Sequence, residues 1–488
     1  MRTWPVVAIL ALGYRHRWMS DDGLIYTRTV RQILAGHGPV LNPGERAEAS
    51  TSALWQWILA LAAFVTRQDP ALIAMFLGLA LTAAGFWLAI DGAARLYGRG
   101  RTMFPAGALV MVALPPVWDF ATSGLETGLG TCWIAGAWWC LVRIRRSPTG
   151  RLVVVAAFVA GLGPLVRPDF TVFAVALLAA LWLLARPNWR GSLKLAAIAV
   201  ALPFAYEVFR AGFYGELLPL PALSKSAGTG HWSRGVAYLS DFTTTYGVWI
   251  ALVLAAVIAD AALRTRRGRA ARPDLVVALA PALAGFGSGL YVVWIGGDFM
   301  SARMLLPALL MLILPVFAVP ASRRTLIPVV LLATWALVCA TSLRLPYQGI
   351  GPAGISDERQ FYVSQAGVPN PDSAAEHAAG DPETKVAQAA LATGRRILVL
   401  PDGTEVSLAA WVPTSFALDW PALGIDGVVT PLGDVAVDPW AWAIRWPRTW
   451  RSPRSGAPGT TAGSETSGSS RTTATPARRH RRASTRSN

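Results

Sequence analysis

Residues 71–90, ALIAMFLGLALTAAGFWLAI, are an uncharged apolar run that predicts a membrane-spanning helix. About 20 helical residues, each rising about 1.5 Å, cross a hydrocarbon core of about 30 Å. Runs of roughly 15–20 such residues recur through about the first 345 positions. Hydrophobic residues make up 53% of the chain and charged residues only 15%, whereas soluble domains average about 25% charged residues. The composition therefore predicts an all-α polytopic membrane protein.

The apolar runs predict about eleven spans. Their approximate bounds are 4–14, 71–90, 103–117, 125–142, 152–166, 170–185, 195–209, 246–263, 275–295, 304–319 and 326–343. A further run at 54–65 is short and flanked by polar residues, so we interpret it as a juxtamembrane helix at the interface. With that assignment, arginine-rich loops alternate with acidic ones, and the positive-inside rule places the arginine-rich loops in the cytoplasm.

The loops that are predicted to face outward carry most of the acidic residues near membrane ends. They hold Asp21 and Asp22, Glu126, Arg167 and Asp169, the segment 210–230, and Asp298 with Arg303. Acidic outer loops also arise simply because basic residues are kept inside. Several loops that bring acids and bases to one face are nevertheless a stronger indication of a site than any single residue.

Both ends of the chain depart from an ordinary membrane protein. The first run, 4–14, gives only about 16 Å of helix, so we expect the natural start codon upstream. Residues 346–440 contain strand-like runs such as RRILVLP and predict a small α/β outer domain that is truncated. Residues 441–488 are a basic, low-complexity tail, which predicts disorder and a frameshift near residue 440.

The net positive charge is concentrated in that tail. Ten arginines and one acid between residues 445 and 488 supply +9 of the formal net charge of +16. The remainder is ordinary for a membrane protein with arginine-rich inner loops. The charge is therefore no evidence for a nucleic-acid partner.

The segment 20–57, SDDGLIYTRTVRQILAGHGPVLNPGERAEASTSALWQW, contains an acidic pair at the end of the first run. Adjacent carboxylates at a membrane end are costly unless they face water, a cation or a substrate. Asp21 and Asp22 are therefore candidate catalytic residues. Two alternatives stay open: the pair binds a divalent cation together with Asp298, or Ser20 or Asp21 caps a helix over 23–34. A cap fixes one carboxylate and leaves the other available.

Other candidate residues also have structural alternatives. Glu126 begins a predicted span, where it would favour the positive end of the helix dipole. Arg167 is close enough to Asp169 for an ion pair that stabilises the turn, and this is as good an explanation as phosphate binding. These residues become stronger candidates for a functional site only if their loops lie close together in the folded chain.

The remaining candidates lie in three outward-facing segments. Lys225 follows a proline-rich stretch, and Arg303 follows Asp298, so both cations are candidates for binding phosphate. His37 is a lone histidine and a weaker candidate for the same role. Trp55 lies on the predicted juxtamembrane helix, where an indole serves as an interfacial anchor or as a surface on which a sugar stacks.

Further motifs follow in order: SGLET at 123–127, RPD at 167–169, YGELLPLPALSK at 214–225 and GGDFMSARMLLP at 296–307. Together with the acidic pair and the segment ERAEASTSALWQW at 45–57, they resemble the GT-C class of membrane glycosyltransferases. Within that class the chain most resembles the terminal β-(1→2)-arabinofuranosyltransferases of mycobacterial and corynebacterial cell walls. The resemblance covers roughly residues 15–345 of the chain.

The resemblance implies transfer of arabinofuranose from a decaprenyl-phosphate-arabinofuranose-like lipid donor. It implies that the acceptor is the arabinan of arabinogalactan and lipoarabinomannan, and that the reaction occurs on the outer face of the plasma membrane. A carboxylate of the first outer loop is then expected at the reaction centre, with Asp21 and Asp22 as candidates. A β-linked donor and a β-linked product mean net retention, which requires more than a single base-assisted displacement.

Two alternatives stay open at this point. Another polyprenyl-phosphate-sugar enzyme, such as a mannosyltransferase, would share the loops but use a different sugar. A transporter of lipid-linked sugars would show internal repeats and binding groups near the middle of the membrane. The polar candidates here gather near membrane ends, which favours an enzyme over a transporter.

Overall fold

The computed structural model describes residues 3–98, 102–148, 150–219, 221, 230–264, 272–419 and 422–437. These residues are mostly helical. The first half contains α1 (Trp4–Arg15), α2 (Asp21–Leu34), α3 (Ala53–Thr66), α4 (Pro70–Tyr97), α5 (Ala106–Ala113), α6 (Pro115–Phe120), α7 (Thr127–Ile144), α8 (Gly150–Gly161), α9 (Gly163–Val166), α10 (Thr171–Ala185) and α11 (Trp189–Tyr214). The second half contains α12 (Trp232–Thr245), α13 (Val248–Arg264), α14 (Arg272–Ile295), α15 (Leu306–Ile313), α16 (Arg323–Ser342), α17 (Glu358–Ala366), α18 (Ala374–Gly380), α19 (Pro382–Ala392) and α20 (Leu423–Val429).

Five helices among the described residues are long and apolar enough to cross a membrane. They are Pro70–Tyr97, Pro168–Ala185, Trp189–Tyr214, Arg272–Ile295 and Arg323–Ser342. The pair α12 and α13, bent by 73° at the break between them, makes a sixth if it is one span. The described residues thus form a mostly helical protein with five or six candidate spans by length and composition, against the roughly eleven predicted.

The difference arises where predicted spans are interrupted. The segment 103–117 divides into β1 (Met103–Phe104), α5 and α6, with Pro105 before α5 and Pro115 at the start of α6. Proline lacks an N–H group, so it begins a helix readily and does not continue one. Hydropathy alone does not register such breaks.

The acidic pair lies in the first turn of α2. Ser20 caps this helix, since its side chain accepts a hydrogen bond from the backbone N–H of Gly23 at 3.0 Å. Asp21 and Asp22 follow in the first turn, where the helix dipole favours negative charge. The cap is therefore the serine, and neither carboxylate is used for it.

The residues after 346 form a mixed α/β arrangement. Helices α17 to α20 accompany a four-stranded sheet in the order β6 (Glu405–Ser407), β5 (Ile397–Val399), β7 (Phe416–Asp419) and β8 (Val435–Val437). Strand β5 pairs antiparallel with β6 and parallel with β7, which also pairs parallel with β8. Two short antiparallel pairs, β1 with β2 (Val319–Pro320) and β3 (Gly349–Ile350) with β4 (Ser356–Asp357), complete the strands of the described residues. Whether residues 346–440 form a separate outer domain stays a prediction.

Two glycines bring other segments close to the start of α2. A Cβ atom on Gly23 would lie 2.5 Å from the carbonyl oxygen of Ser123, so only glycine allows the loop before α7 to approach so closely. A Cβ atom on Gly424 would lie 1.9 Å from the carbonyl oxygen of Asp21. The start of α2 is therefore held between the loop at 123–126 and the C-terminal helix α20.

Candidate active site

Arg303 lies between two carboxylates that are far apart in the sequence. Its Nη1 atom is 3.2 Å from Asp22 Oδ2, and its Nε atom is 3.5 Å from Asp298 Oδ2. The arginine is only 6% exposed, whereas the side chain of Asp22 is 21% exposed. Two predicted outer loops, 20–22 and 296–307, therefore meet at this guanidinium group.

The backbone of the 296–307 loop requires its glycines. Gly296 and Gly297 have φ values of 93° and 71°, in the left-handed region that favours glycine. A Cβ atom on Gly297 would lie 2.3 Å from the ring of Tyr238. The hydroxyl of Tyr238 donates to the Met300 carbonyl at 2.8 Å. The glycines therefore allow a tight turn that packs on α12. This turn brings Arg303 to Asp22.

A second group of charges surrounds Glu126. The Nη1 atom of Arg167 donates to Glu126 Oε1 at 2.8 Å, and the hydroxyl of Tyr26 lies 3.2 Å from Glu126 Oε2. The Nε atom of Arg167 also donates to Asp169 Oδ1 at 2.9 Å, which confirms the predicted local ion pair. Glu126 is fully buried and makes no side-chain cap for α7, so its carboxylate serves this network.

Helix α2 joins the two charge groups. Asp22 and Tyr26 are four residues apart and lie on the same helix face. A small pocket of about 40 Å³ opens beside them. Its walls include Asp22, Ile25, Tyr26, Ala49, Ser50, Thr51, Leu125, Arg303 and Leu423. A small polar ligand in this pocket would contact a carboxylate, a guanidinium and a phenol together.

The two residues of the acidic pair differ in their contacts. Asp21 Oδ1 accepts a hydrogen bond from the backbone N–H of Ile425, in the first turn of α20, at 2.8 Å. Asp22 instead lines the pocket and faces Arg303. Successive helical residues point about 100° apart, so one carboxylate binds the C-terminal segment while the other faces the pocket.

Trp55 does not occupy the interfacial position that we expected. Its side chain is fully buried, and its Nε1 atom donates to the carbonyl of Gly124 at 2.9 Å. This contact fixes α3 against the SGLET loop, so the indole is neither a lipid anchor nor a surface for stacking a sugar. Trp57, which is 40% exposed, is the tryptophan of α3 that retains an accessible ring.

Two other predicted phosphate ligands do not join the group. His37 is exposed and its Nδ1 atom lies 2.6 Å from Gln32 Oε1. It follows the far end of α2, about 20 Å along the helix axis from the acidic pair. Lys225 lies outside the described residues.

The contacts also bear on the predicted divalent cation. Among the described residues, no group of three or more His, Cys, Asp or Glu side chains is arranged to hold a metal ion. Arg303 stands between Asp22 and Asp298 and supplies the positive charge there. The space between Asp22 and Asp298 therefore holds a guanidinium group, and a cation bound by the acidic pair stays a prediction.

Glu358, at the start of α17, belongs to the charge group formed by Asp22, Asp298 and Arg303. The sequence did not indicate it. It is 6% exposed, and its Oε2 atom has no hydrogen-bond partner among the described residues. Burial raises the pKa of Glu358 well above its usual range, and the carboxylate of Asp22 adds to this, against the opposing charge of Arg303. Asp21 and Asp298 raise the pKa further. No apolar period or motif surrounds Glu358 in ISDERQ, so only tertiary contacts reveal it.

In the parent protein we expect the free energy of unfolding to fall as pH rises, and we expect Glu358→Gln to abolish that fall. Because the folded-state pKa lies above the unfolded-state value, the unfolded chain releases the proton first. The free energy of unfolding therefore falls as pH rises from the ordinary glutamate pKa toward the raised one. Thermal unfolding of the purified protein between pH 5 and about 8 measures this slope. The slope should flatten in Glu358→Gln. It should persist in the control Glu405→Gln, because the Glu405 side chain is more exposed and paired with Arg395. Equal slopes in both variants would contradict the raised pKa of Glu358.

Comparison with known proteins agrees with the motifs. No protein-family model matches the chain. It is 37% identical over 442 residues to the terminal β-(1→2)-arabinofuranosyltransferase of Mycobacterium tuberculosis, covering 80% of this chain and 69% of that protein. It is 38% identical over 387 residues to the terminal β-(1→2)-arabinofuranosyltransferase of Corynebacterium glutamicum, covering 72% of this chain and 56% of that protein. The resemblance predicted from the sequence is thereby confirmed. The chain belongs to the terminal β-(1→2)-arabinofuranosyltransferase family of membrane glycosyltransferases.

Proposed function

We propose that the protein transfers arabinofuranose from a polyprenyl-phosphate donor to the ends of arabinan, on the outer face of the plasma membrane. The acceptor class is the arabinan of arabinogalactan and lipoarabinomannan. Family membership supports the sugar, and an apolar groove beside the charge group supports the lipid donor. The groove is the observation on which the proposal chiefly rests.

The groove has a volume of about 180 Å³ and lies between α12, α13, α14 and α15. Its walls are almost entirely apolar: Leu239, Phe242, Val248, Leu252, Gly285, Phe286, Gly289, Leu290, Val293, Leu305, Ala308, Leu309 and Leu312, with Thr243. Leu305 is two residues from Arg303, so the groove begins beside the charge group. A donor with an isoprenoid chain and a phosphate needs this combination of an apolar channel and a nearby cation.

The charge group supplies the chemistry that the transfer requires. The bond between the anomeric carbon and the phosphate oxygen breaks, and its electron pair leaves with the polyprenyl phosphate. Arg303 neutralises that phosphate. A new bond forms to the acceptor hydroxyl oxygen, whose proton passes to a carboxylate, and Asp22 is the one in the pocket. With a β-linked donor, net retention adds either a covalent sugar–carboxylate intermediate or a front-face route.

Sugar specificity tests the proposal directly. Membranes that contain the protein are incubated with an arabino-oligosaccharide and with either polyprenyl-phosphate arabinofuranose or polyprenyl-phosphate mannose, each radiolabelled. We expect label in the oligosaccharide only from the arabinofuranose donor, lengthened at its terminal residues. Label from the mannose donor alone would support the mannosyltransferase alternative, and movement of intact donor across vesicles without transfer would support a transporter.

We expect Gly289→Leu to weaken binding of the long-chain donor. Gly289 lines the groove, and a Cβ atom there meets only Ala308 Cβ at 3.9 Å, so the added side chain fills the groove without a backbone clash. Excluding two methylene groups at about 0.8 kcal/mol each corresponds to about a tenfold rise in donor KM. The measurement is initial rate against donor concentration, for long-chain and short-chain donors.

Gly287→Leu, on the same helix, is the matched control. A Cβ atom at Gly287 meets nothing within 4 Å, and the residue does not line the groove. We expect its donor KM to stay within about twofold of the parent value. A similar rise in both variants, or a rise that is as large for a short-chain donor, would show that the groove does not bind the lipid.

A further inference from the structure

A second cavity lies next to the charge group of Asp22, Asp298 and Arg303, and Glu358 lines it. It has a volume of about 170 Å³. Its walls come from the end of α1, from α6, from the segment after α16 and from the start of α17. Ser301, two residues before Arg303, and Glu358 also line it, so the cavity lies beside the Asp22–Arg303 pair.

The cavity contains a fixed pair of charged side chains. Arg359 Nε lies 3.6 Å from Asp119 Oδ1 and donates to the His16 carbonyl at 2.9 Å. The Asp119 carbonyl accepts from Trp18 Nε1 at 2.7 Å. Burial raises the pKa of Asp119 to about 7, against the opposing charge of Arg359. Near neutral pH this carboxyl therefore both donates and accepts hydrogen bonds, as the hydroxyls of a sugar require.

The remaining wall is rigid and aromatic. Trp118 is 3% exposed, its Nε1 atom donates to the Val112 carbonyl at 2.6 Å, and the His16 ring lies 5.0 Å from its ring. The lining also brings Asp357 close to Asp119. Three carboxyl residues, Asp119, Asp357 and Glu358, outnumber the two arginines of this cavity, Arg344 and Arg359, which favours a neutral polyol over a phosphate group.

Glu358 stands at the boundary between this cavity and the charge group. It lines the cavity, and its charge is coupled to those of Asp22 and Arg303. Its Oε2 atom is buried and lacks a hydrogen-bond partner among the described residues. Buried polar atoms normally have partners, so a ligand hydroxyl in the cavity would supply what Oε2 lacks.

We propose that this cavity binds the end of the arabinan acceptor, with Asp119 and Arg359 holding its hydroxyls and Glu358 directing the reacting hydroxyl toward Asp22. The inference rests on the proposed transfer reaction and adds the place of the second substrate. It gives the lipid donor and the carbohydrate acceptor separate cavities, each with a wall residue two positions from Arg303. Glu358 is a substrate-binding residue that contacts the acceptor and not the donor.

Binding and kinetics of the full chain in detergent test this arrangement. Binding of an arabino-oligosaccharide without donor is followed by saturation-transfer NMR, and KM is measured separately for acceptor and donor. In Asp119→Asn and Glu358→Ala we expect the acceptor KM to rise about tenfold or more and the donor KM to stay within about twofold. Glu358→Gln, which keeps a donor and an acceptor group, should recover most of the acceptor binding.

Asp372→Asn is the matched control. Asp372 forms an ion pair with Arg17 at 2.7 Å and does not line the cavity. Unaltered oligosaccharide binding in both Asp119→Asn and Glu358→Ala, or equal losses in Asp372→Asn, would overturn the inference. Oligosaccharide binding that depends on Asp119 without any arabinofuranose transfer would sink the proposed function and leave the cavity assignment standing. Arabinofuranose transfer that the cavity variants leave unchanged would overturn the cavity assignment and leave the proposed function standing.

Discussion

Asp22→Asn is expected to reduce arabinofuranose transfer by about 10³-fold while the protein stays folded. A positioned acid–base group contributes about 10²–10⁴-fold, and a nucleophile at least as much. Asp22 contacts Arg303 at 3.2 Å, and its side chain is 21% exposed. The asparagine amide of the variant therefore fits in the same place and adds no buried unpaired charge. Initial rates with saturating donor and acceptor, together with thermal unfolding, separate loss of chemistry from loss of folding.

Asp21→Asn is the matched control for that result. Its contact is to the backbone N–H of Ile425, which an asparagine oxygen also accepts. We therefore expect at least about a third of the parent rate and a loss of stability below about 1 kcal/mol. An inactive Asp21→Asn with an active Asp22→Asn would reverse the two roles. Full activity in both would remove the acidic pair from the mechanism.

Arg28→Met is expected to destabilise the protein by about 3–5 kcal/mol. Arg28 is fully buried in α2, and its guanidinium donates to carbonyl oxygens at several distant positions. The contacts are to Leu41 at 2.8 Å, Gly427 at 2.6 Å, Thr430 at 2.7 Å and Asp434 at 2.8 Å. Methionine fills much of the space but leaves these buried carbonyls without a donor. The fall in Tm in detergent measures the effect.

Arg31→Met on the same helix shows whether the effect is specific. Arg31 pairs with Asp69 at 2.6 Å, and both side chains are partly exposed, so its removal should cost at most about 1 kcal/mol. Because Arg28 binds residues 427–434, its loss should also speed tryptic cleavage after Arg395 and Arg396. Equal Tm values for the two variants would show that Arg28 does not fasten the C-terminal segment.

Much of the site could be predicted because its residues are unusual for their positions in the chain. A carboxylate or guanidinium near a membrane end is costly without a partner, which singled out Asp22, Glu126, Arg167 and Arg303. The structure brings these four into two connected groups. Trp55 was misjudged because hydropathy does not tell a buried indole from an interfacial one. Glu358 was missed because it lies beyond the apolar runs, in a stretch without a recognisable period.

Features that depend on neighbours along the chain can be predicted from the amino-acid sequence. Long uncharged runs such as 71–90 determine a helical membrane protein, because a helix satisfies its own backbone polar groups in lipid. The start of a helix at Ser20 or Asp21 is equally local, because a cap bonds to a backbone N–H within the first turn.

Which member of the acidic pair faces the pocket depends instead on packing between distant segments. Asp21 and Asp22 are chemically alike and adjacent, and they differ because the helix points them about 100° apart. Asp21 meets Ile425 and Asp22 meets Arg303, and both partners come from segments hundreds of residues away. A local sequence pattern carries no information about such partners, since packing across the whole chain brings them together.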